Sequence, residues 1–470
     1  MSSTRASRSH RPARPAGRVR QRLACSVALV LGAWGLNAQA QSLVELYQAA
    51  KDYDAAYLSA KAQADSTQFR AAQAYAQRMP QISLKGTVAR TNFDASGTDA
   101  AAQAAAATGR DTINYHLTNK QLALQGRQSL YNRGVSALIA QADQSVVAAE
   151  ADLKSAEDDL LVRLTQAYFD VLAAKDLLST AQTNKKALAE QLASAKRNFE
   201  VGNATITDTR EAQARFDLAT AQEIAADNEV KVKSIALDQL VGRQNVQPRP
   251  LMTPVALPPL LPASAEDWVT LTATSPAIRK AEVGLEVAKL ETKKARAEHL
   301  PTVDLVGSLT RTDVDGTGPV TSLASAGTTS TLGVEVNVPI FVGFATQNKI
   351  KESLALQDKS ERDVDNAKRS VTLATRQAFF GVQSGMAQVK ALEAAEASAK
   401  LALEATQLGY RVGVRVNKDV LDAQTAVAST QKDLYKARYD VLVATMKLRQ
   451  ASGSLKPEDL ENLNRLLAPQ

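Results

Sequence analysis

The residues that could do chemistry are few in this chain. Of its three histidines, His116 and His299 lie beyond the N-terminal stretch, and neither has a His, Cys or carboxylate at metal-ligand spacing. There is no Gly-rich phosphate loop and no nucleophile motif, so nothing supports an enzyme or a cofactor. The acids near two turns are more informative. Gly202 and Gly413 each follow a long helical pattern, where a left-handed residue is wanted. A short turn comes next, and then an acid opens a new helix, Asp208 in one place and Asp419 in the other. Asp422 lies three residues beyond Asp419, so both carboxylates share one helix face. Glu211 is the counterpart of Asp422 in the first turn. Acids favour the first turn of a helix for dipole reasons alone, and that account needs no function. The two turns also differ. Phe199 is replaced by Tyr410 and Ala204 by Arg415, so only the second turn carries a phenol and a guanidinium.

The elements behind these turns come from an internal duplication. QRMPQISLKGTVART, ending at Thr91, aligns with EHLPTVDLVGSLTRT, ending at Thr312. QAYFDVLAA from Gln166 aligns with QAFFGVQSG from Gln377, and NFEVGNATITDTREAQ from Asn198 with GYRVGVRVNKDVLDAQ from Gly409. The offset is 221 early and 211 later, which implies an insertion in the first copy, placed in the low-complexity stretch AAAQAAAATG before Arg110. The expected units are a leader 1–40, a first repeat 41–242, a Pro-rich linker 243–265, a second repeat 266–453 and a C-terminal tail 454–470. The linker owes its character to six prolines between Pro248 and Pro262.

Each copy reads as helix, strand, strand, long helix, turn, helix. Leu332, Val334, Val336 and Val338 alternate with Gly333, Glu335 and Asn337; Val303, Leu305 and Leu309 oppose Thr302, Asp304 and Ser308; Ile82, Leu84 and Val88 oppose Ser83, Lys85 and Thr87. A fourth strand is expected over about 113–125. Alternation of period two suits a wall between lipid and water. A sheet half-buried on a soluble core gives the same pattern. The long helices carry a heptad seam. Ile139, Ala142, Val146, Ala149, Leu153, Ala156 and Leu160 step by three and four, and the pattern resumes at Leu164 after one stutter. A proline-free run from Arg133 to Asn198 predicts one helix of about 66 residues, about 100 Å long. Flanking helices over about 54–79 and 206–241 together match that length, which suggests two half-length helices stacked beside each long one. Trp268, near the linker, is expected to fill a local core.

The first 22 residues hold seven Arg and no acid, and Leu23–Leu36 is a short apolar stretch ahead of Ala38-Gln39-Ala40. Fourteen apolar residues are too few to span a bilayer, so a signal peptide cleaved before Gln41 is expected. Removing it takes the count from 56 basic and 49 acidic residues to 49 of each. The net charge of +7 belongs to the leader, and a nucleic-acid partner loses its support. Cys25, the only cysteine, goes with it. No later run reaches the roughly 18 apolar residues of a spanning helix.

Four strands cannot close a spanning barrel, since such barrels start at eight. The strands must therefore be shared between copies, eight from two chains or twelve from three.

In its leader, duplicated hairpins and long helices, the chain resembles the TolC family of outer-membrane channels over almost its whole mature length. The likeness is strongest in YRVGVRVNKDVLDAQ from Tyr410, in KARYDVLVATMKLRQASGSL from Lys436 and in NFEVGNATITDTREAQ from Asn198. The resemblance implies a mainly α fold with a small β part. Each chain of a homotrimer would add four strands to a shared twelve-stranded transmembrane β-barrel, above a coiled-coil α-barrel that reaches into the periplasm. It implies an exit duct for tripartite efflux or type I secretion, docked on a periplasmic adaptor (membrane fusion) protein and an inner-membrane pump. It further implies a gate clamp in which Asp208, with Thr207, takes bonds from Tyr410 and Arg415, and a constriction ringed by Asp419 and Asp422. The alternative from another class is a periplasmic coiled-coil adaptor. Adaptors usually carry one helical hairpin and a β-rich domain, whereas two hairpins and two amphipathic strand pairs occur here.

Overall fold

The computed structural model describes residues 42–96, 107, 112–252, 255, 257–317 and 325–468. The leader, its cleavage site and, apart from Ala107, the low-complexity stretch lie outside the described residues. The first copy comprises α1 (Leu43–Tyr53), α2 (Ala55–Ala76), β1 (Gln81–Ser96), β2 (Thr112–Tyr131), α3 (Arg133–Glu200) and α4 (Ile206–Val241). A short helix α5 (Ala265–Leu271) precedes the second copy of α6 (Pro276–Ala297), β3 (Thr302–Thr317), β4 (Ser325–Asn337), α7 (Ala345–Arg411) and α8 (Asn417–Ala451), and α9 (Glu458–Asn464) follows it. The duplication is metrically close. α3 and α7 have 68 and 67 residues, α4 and α8 have 36 and 35, and α2 and α6 have 22 each.

The long helix α3 starts where the Asn132 side chain accepts the Val135 N–H at 3.1 Å, and it is stopped by Gly202 at φ +78°. At 68 residues it runs about 100 Å. The expected helix at 54–79 is α2, and a separate helix, α1, runs up to its start. Asp54 parts the two with ψ 115°, caps α2 by accepting the Tyr57 N–H at 2.8 Å, and takes both guanidinium nitrogens of Arg163 at 2.9 and 3.0 Å. A bidentate partner on α3, invisible in the local pattern, holds that break. α2 and α4 both lie along α3, with α1 touching α2 and α4 between them, so the half-length helices do stack beside the long one. β2 runs six residues beyond the expected end at 125, because it pairs with β3 over most of its length.

The four strands form one antiparallel sheet in the order β1-β2-β3-β4. Each strand is continuous in sequence with a helix: β1 follows α2, β2 leads into α3, β3 follows α6 and β4 leads into α7. The helices keep the same lateral order, since α6 and α8 both lie between α3 and α7. The chain is thus a two-storey slab with matching edges. Register places Leu84, Leu124 and Leu309 in one row, and Val303 with Val336 in another, on a single face. Ser83, Gln125, Ser308 and Thr331 form a row of the opposite face.

The thickest core sits about midway along the helices. Leu43, Leu46 and Ala50 of α1 meet Leu160, Leu164, Tyr168 and Phe169 of α3, with Leu442 and Met446 of α8. The C-terminal segment is folded into this core: Leu455, Leu460, Leu463 and Leu467 are buried there, and Leu467 bridges to Leu251 of the linker. Tyr168 fastens the linker, accepting the Arg249 N–H at 2.8 Å. Trp268 is 2% exposed against Phe379, Val382 and Leu448, and its indole N–H donates to the Pro262 carbonyl at 2.8 Å, so it fills a local core as expected. Away from this belt the helices meet through small residues such as Ala195, Ala212 and Ala219.

Candidate functional site

The hairpin tips are built by backbone rules. At the end of α3 the Gly202 N–H donates to the Phe199 carbonyl at 3.0 Å and the Asn203 N–H to the Asn198 carbonyl at 2.7 Å. At the end of α7 the matching bonds are Gly413 to Tyr410 at 3.1 Å and Val414 to Gly409 at 2.9 Å. Both glycines have φ +78°, and a Cβ at either would meet nothing within 4 Å. Glycine is there for its left-handed backbone and not for lack of room.

The helix starts then diverge. Thr205 is the N-cap of α4 and forms a capping box with Asp208: the Asp208 N–H donates to Oγ1 of Thr205 at 3.2 Å, and the Thr205 N–H donates to Oδ2 of Asp208 at 2.9 Å. The Thr205 hydroxyl donates to the same Oδ2 at 2.7 Å. The N-cap of α8 is Val416, which has no side-chain oxygen to offer, and Asp419 is instead approached by Arg415 Nη1 at 3.5 Å. Asp422 accepts from Lys418 at 2.7 Å and from Arg215 of α4 at 2.7 Å. The Lys418 ammonium beside it holds the Asp422 carboxyl below the usual carboxylate range, with Arg215 acting in the same direction. The Asp422 carboxylate in turn holds the Lys418 ammonium above its usual range, and Glu211 adds to that in the same direction.

The two tips are cross-linked within one chain. The Asn198 amide donates to the Tyr410 hydroxyl at 3.1 Å, joining the last turns of α3 and α7. Gln191 of α3 donates to Asn417, the first residue of α8. Leu188, Leu192, Ala195, Ala212 and Leu421 form the small apolar core beneath. Among the described residues, no hydrogen bond or ion pair joins Asp208 to Tyr410 or Arg415, and Thr207 is exposed. One chain therefore brings Asp419 beside Arg415 and Asp422 beside Arg215, and leaves Asp208 facing its own cap. Thr205, Asn198, Lys418 and Arg215 were missed from the sequence. Thr205 and Asp208 at T-x-x-D spacing, and Lys418 and Asp422 four apart, carry local signals. Arg215 and Asp422 are 207 residues apart and carry none.

The chain as a whole is similar to known proteins. The chain is 28% identical to the outer membrane protein TolC of Vibrio cholerae over 439 residues, covering 93% of this chain and 96% of that protein. It is 33% identical to the alkaline protease secretion protein AprF of Pseudomonas aeruginosa over 336 residues, 71% of this chain and 68% of that one. Its fold is similar to the CusC channel, with a TM-score of 0.74 at 18% identity, covering 88% of this chain and 92% of that one. The VceC outer membrane protein of Vibrio cholerae gives 0.71 at 18%, covering 87% and 96%. The family of outer membrane efflux proteins matches residues 46–243 and 269–454, one stretch in each copy of the duplicated plan, and the chain belongs to that family.

Proposed function

We propose that three copies of this chain close into a channel-tunnel in the outer membrane, and that it serves as the exit duct of a tripartite efflux or type I secretion machine. The observation that carries this reading is the pair of open edges. β1 and β4 are each paired on one side only, and the helices beneath them are unfinished on the same sides. Exposed apolar residues line both flanks, with Phe69, Ile224 and Ile235 on α2 and α4, and Leu373, Phe380 and Leu401 on α7. A head-to-tail contact between unlike edges makes a ring when its rotation closes. Three chains of four strands give twelve, enough for a spanning barrel. Family membership replaces the adaptor alternative. No helix among the described residues is long and apolar enough to cross a membrane.

In this reading residues 1–40 are a cleaved leader, 41–242 and 266–453 the two repeats, 243–265 the linker and 454–470 the end that closes the central core. The partners are a periplasmic adaptor and an inner-membrane pump. The periplasmic tip is the gate: in the closed ring Asp208 and Thr207 of one hairpin take bonds from Tyr410 and Arg415 of a neighbouring one, and Asp419 with Asp422 lines the constriction. Similarity to AprF, named for secretion, and to the Brucella suis efflux protein BepC supports both export routes equally. The test is native mass spectrometry of the protein extracted from outer membranes, followed by planar-bilayer recording. A trimer with a starting residue at Gln41 and a small conductance is expected. A dimer or a non-conducting monomer refutes the proposal.

A further inference from the structure

The lipid-side face of the sheet changes character along its length. Starting from the helices, its rows hold Val303 with Val336, Leu305 with Val334, Ile82 with Leu332, and Leu84 with Leu124 and Leu309. The next rows bring in cations. Arg311 stands opposite Leu122, Lys120 lies between Val88 and Asp313, and Arg90 lies opposite Thr118. Arg90, Lys120 and Arg311 thus form a diagonal, one on each of three adjacent strands. Strand spacing of about 4.8 Å and a two-residue rise of about 6.8 Å set each step of it near 8 Å.

The height of this diagonal is what gives it meaning. From the Val303 row to the rows of Arg311 and Arg90 is eight to twelve residues along β3. With strands tilted about 40°, that is roughly 20 to 30 Å above Val303, while the apolar band of such barrels is about 25 Å tall. The cations therefore lie where hydrocarbon gives way to headgroups, at the end away from the helices. All three are exposed. Lys120 bonds Asp315 at 3.1 Å, but Arg90 and Arg311 make no hydrogen bond or ion pair among the described residues. Two guanidiniums on an apolar wall, each presenting a planar donor fork, suit phosphate oxygens better than any other membrane group.

Resting on the channel reading above, we propose that Arg90, Lys120 and Arg311 bind the phosphates of the outer-leaflet glycolipid, so that each chain carries its own belt site for an anionic headgroup. Lys120 also balances Asp315, and Asp313 stands opposite Lys120 on the same face, so Arg90 and Arg311 are the cations there without an ion-pair partner among the described residues. Lys85 supplies a control, because register puts it on the opposite, polar face.

The test uses the full-length assembly extracted from outer membranes and stripped of lipid. Native mass spectrometry titrates it with lipid A carrying both phosphates, with dephosphorylated lipid A, and with inorganic phosphate. Wild type is expected to bind the phosphorylated lipid about tenfold more tightly than the dephosphorylated one, and R90Q/K120Q/R311Q to lose that preference while K85Q keeps it. Equal binding of the two lipids by wild type overturns the proposal without relying on any variant. So does an unchanged preference in the triple variant, an equal loss in K85Q, or inorganic phosphate competing as well as the lipid. Wild type that fails to insert or to conduct speaks against the channel. Wild type that conducts, yet binds both lipids alike, speaks against this site alone.

Discussion

Thr205 and Asp208 hold each other at the start of α4: the Asp208 N–H donates to the Thr205 hydroxyl at 3.2 Å while the Asp208 carboxylate accepts the Thr205 N–H at 2.9 Å. The duplicate has lost half of this arrangement, because Val416 stands where Thr205 stands, leaving Asp419 free to face Arg415. One acid is thus committed to its helix in the single chain, and its repeat-mate is not.

That asymmetry separates a capping role from a clamping one. Asp208→Asn keeps an oxygen for the cap but removes the charge that Arg415 would seek. Thermal stability should hardly change, while single-channel conductance should rise. Thr205→Val should do the reverse, costing about 1 kcal/mol of helix stability with little effect on conductance. Equal conductance in wild type and Asp208→Asn would leave Asp208 as a cap only.

The second copy's distinctive groups give the next expectation. Tyr410→Phe with Arg415→Ala restores the first copy's side chains and removes the hydroxyl that accepts from Asn198. Such solvent-side contacts are worth about 1 kcal/mol or less each, so the fold should persist. The double variant should conduct more and admit larger antibiotics. Adding Asp208→Ala should contribute little further, since the three would belong to one linkage. Unchanged conductance in a well-folded double variant counts against the clamp.

Asp422 sits between Lys418 and Arg215, each 2.7 Å away, and its carboxyl is held below the usual range. Its folded-state pKa is depressed, so its charge and its share of tip stability are present above the ordinary carboxylate value. Both are lost only as pH falls through the lowered one. Cation preference in bilayer recordings should therefore survive acidification through the normal carboxylate range. Lys418→Met should move that loss to higher pH, and Asp419→Asn with Asp422→Asn should weaken the preference at neutral pH. Selectivity indifferent to all three changes would make these acids local helix charges.

In the central core Glu157 accepts from Tyr47 and Lys51, each at 2.8 Å, tying α1 to α3. Burial pushes its carboxyl up, but the Lys51 and Tyr47 bonds and the nearby Lys154 outweigh it, giving a pKa of about 2 against an ordinary 4.5. The resulting stability is fully present above pH 4.5 and disappears as pH falls through about 2. Glu157→Ala strands two donors and should cost about 1 to 3 kcal/mol in thermal unfolding near neutral pH. The variant should also show a flatter stability profile between those pH values. A cost below a few tenths would mean that water replaces the carboxylate.

Much of this molecule is local and so was legible in the order of its residues. Period-two alternation marked the strands, the three-and-four stepping of Ile139 to Leu160 marked α3, and Gly202 and Gly413 marked where the long helices stop. These features depend on neighbours within a turn or a pleat, and duplication repeats them at constant offsets. Tertiary structure decided what distance in sequence conceals. Pairing of β2 with β3 makes one sheet of two hairpins and carries β2 past its expected end. Arg163 fastens the junction of α1 and α2 at Asp54 from 109 residues away, and Leu467 closes the linker through Leu251. At the tip the split is sharpest. The acids and the glycines could be read from their spacing, because helix starts and stops obey backbone rules. Which cation each acid meets could not, because Arg215 reaches Asp422 only once α4 and α8 lie side by side.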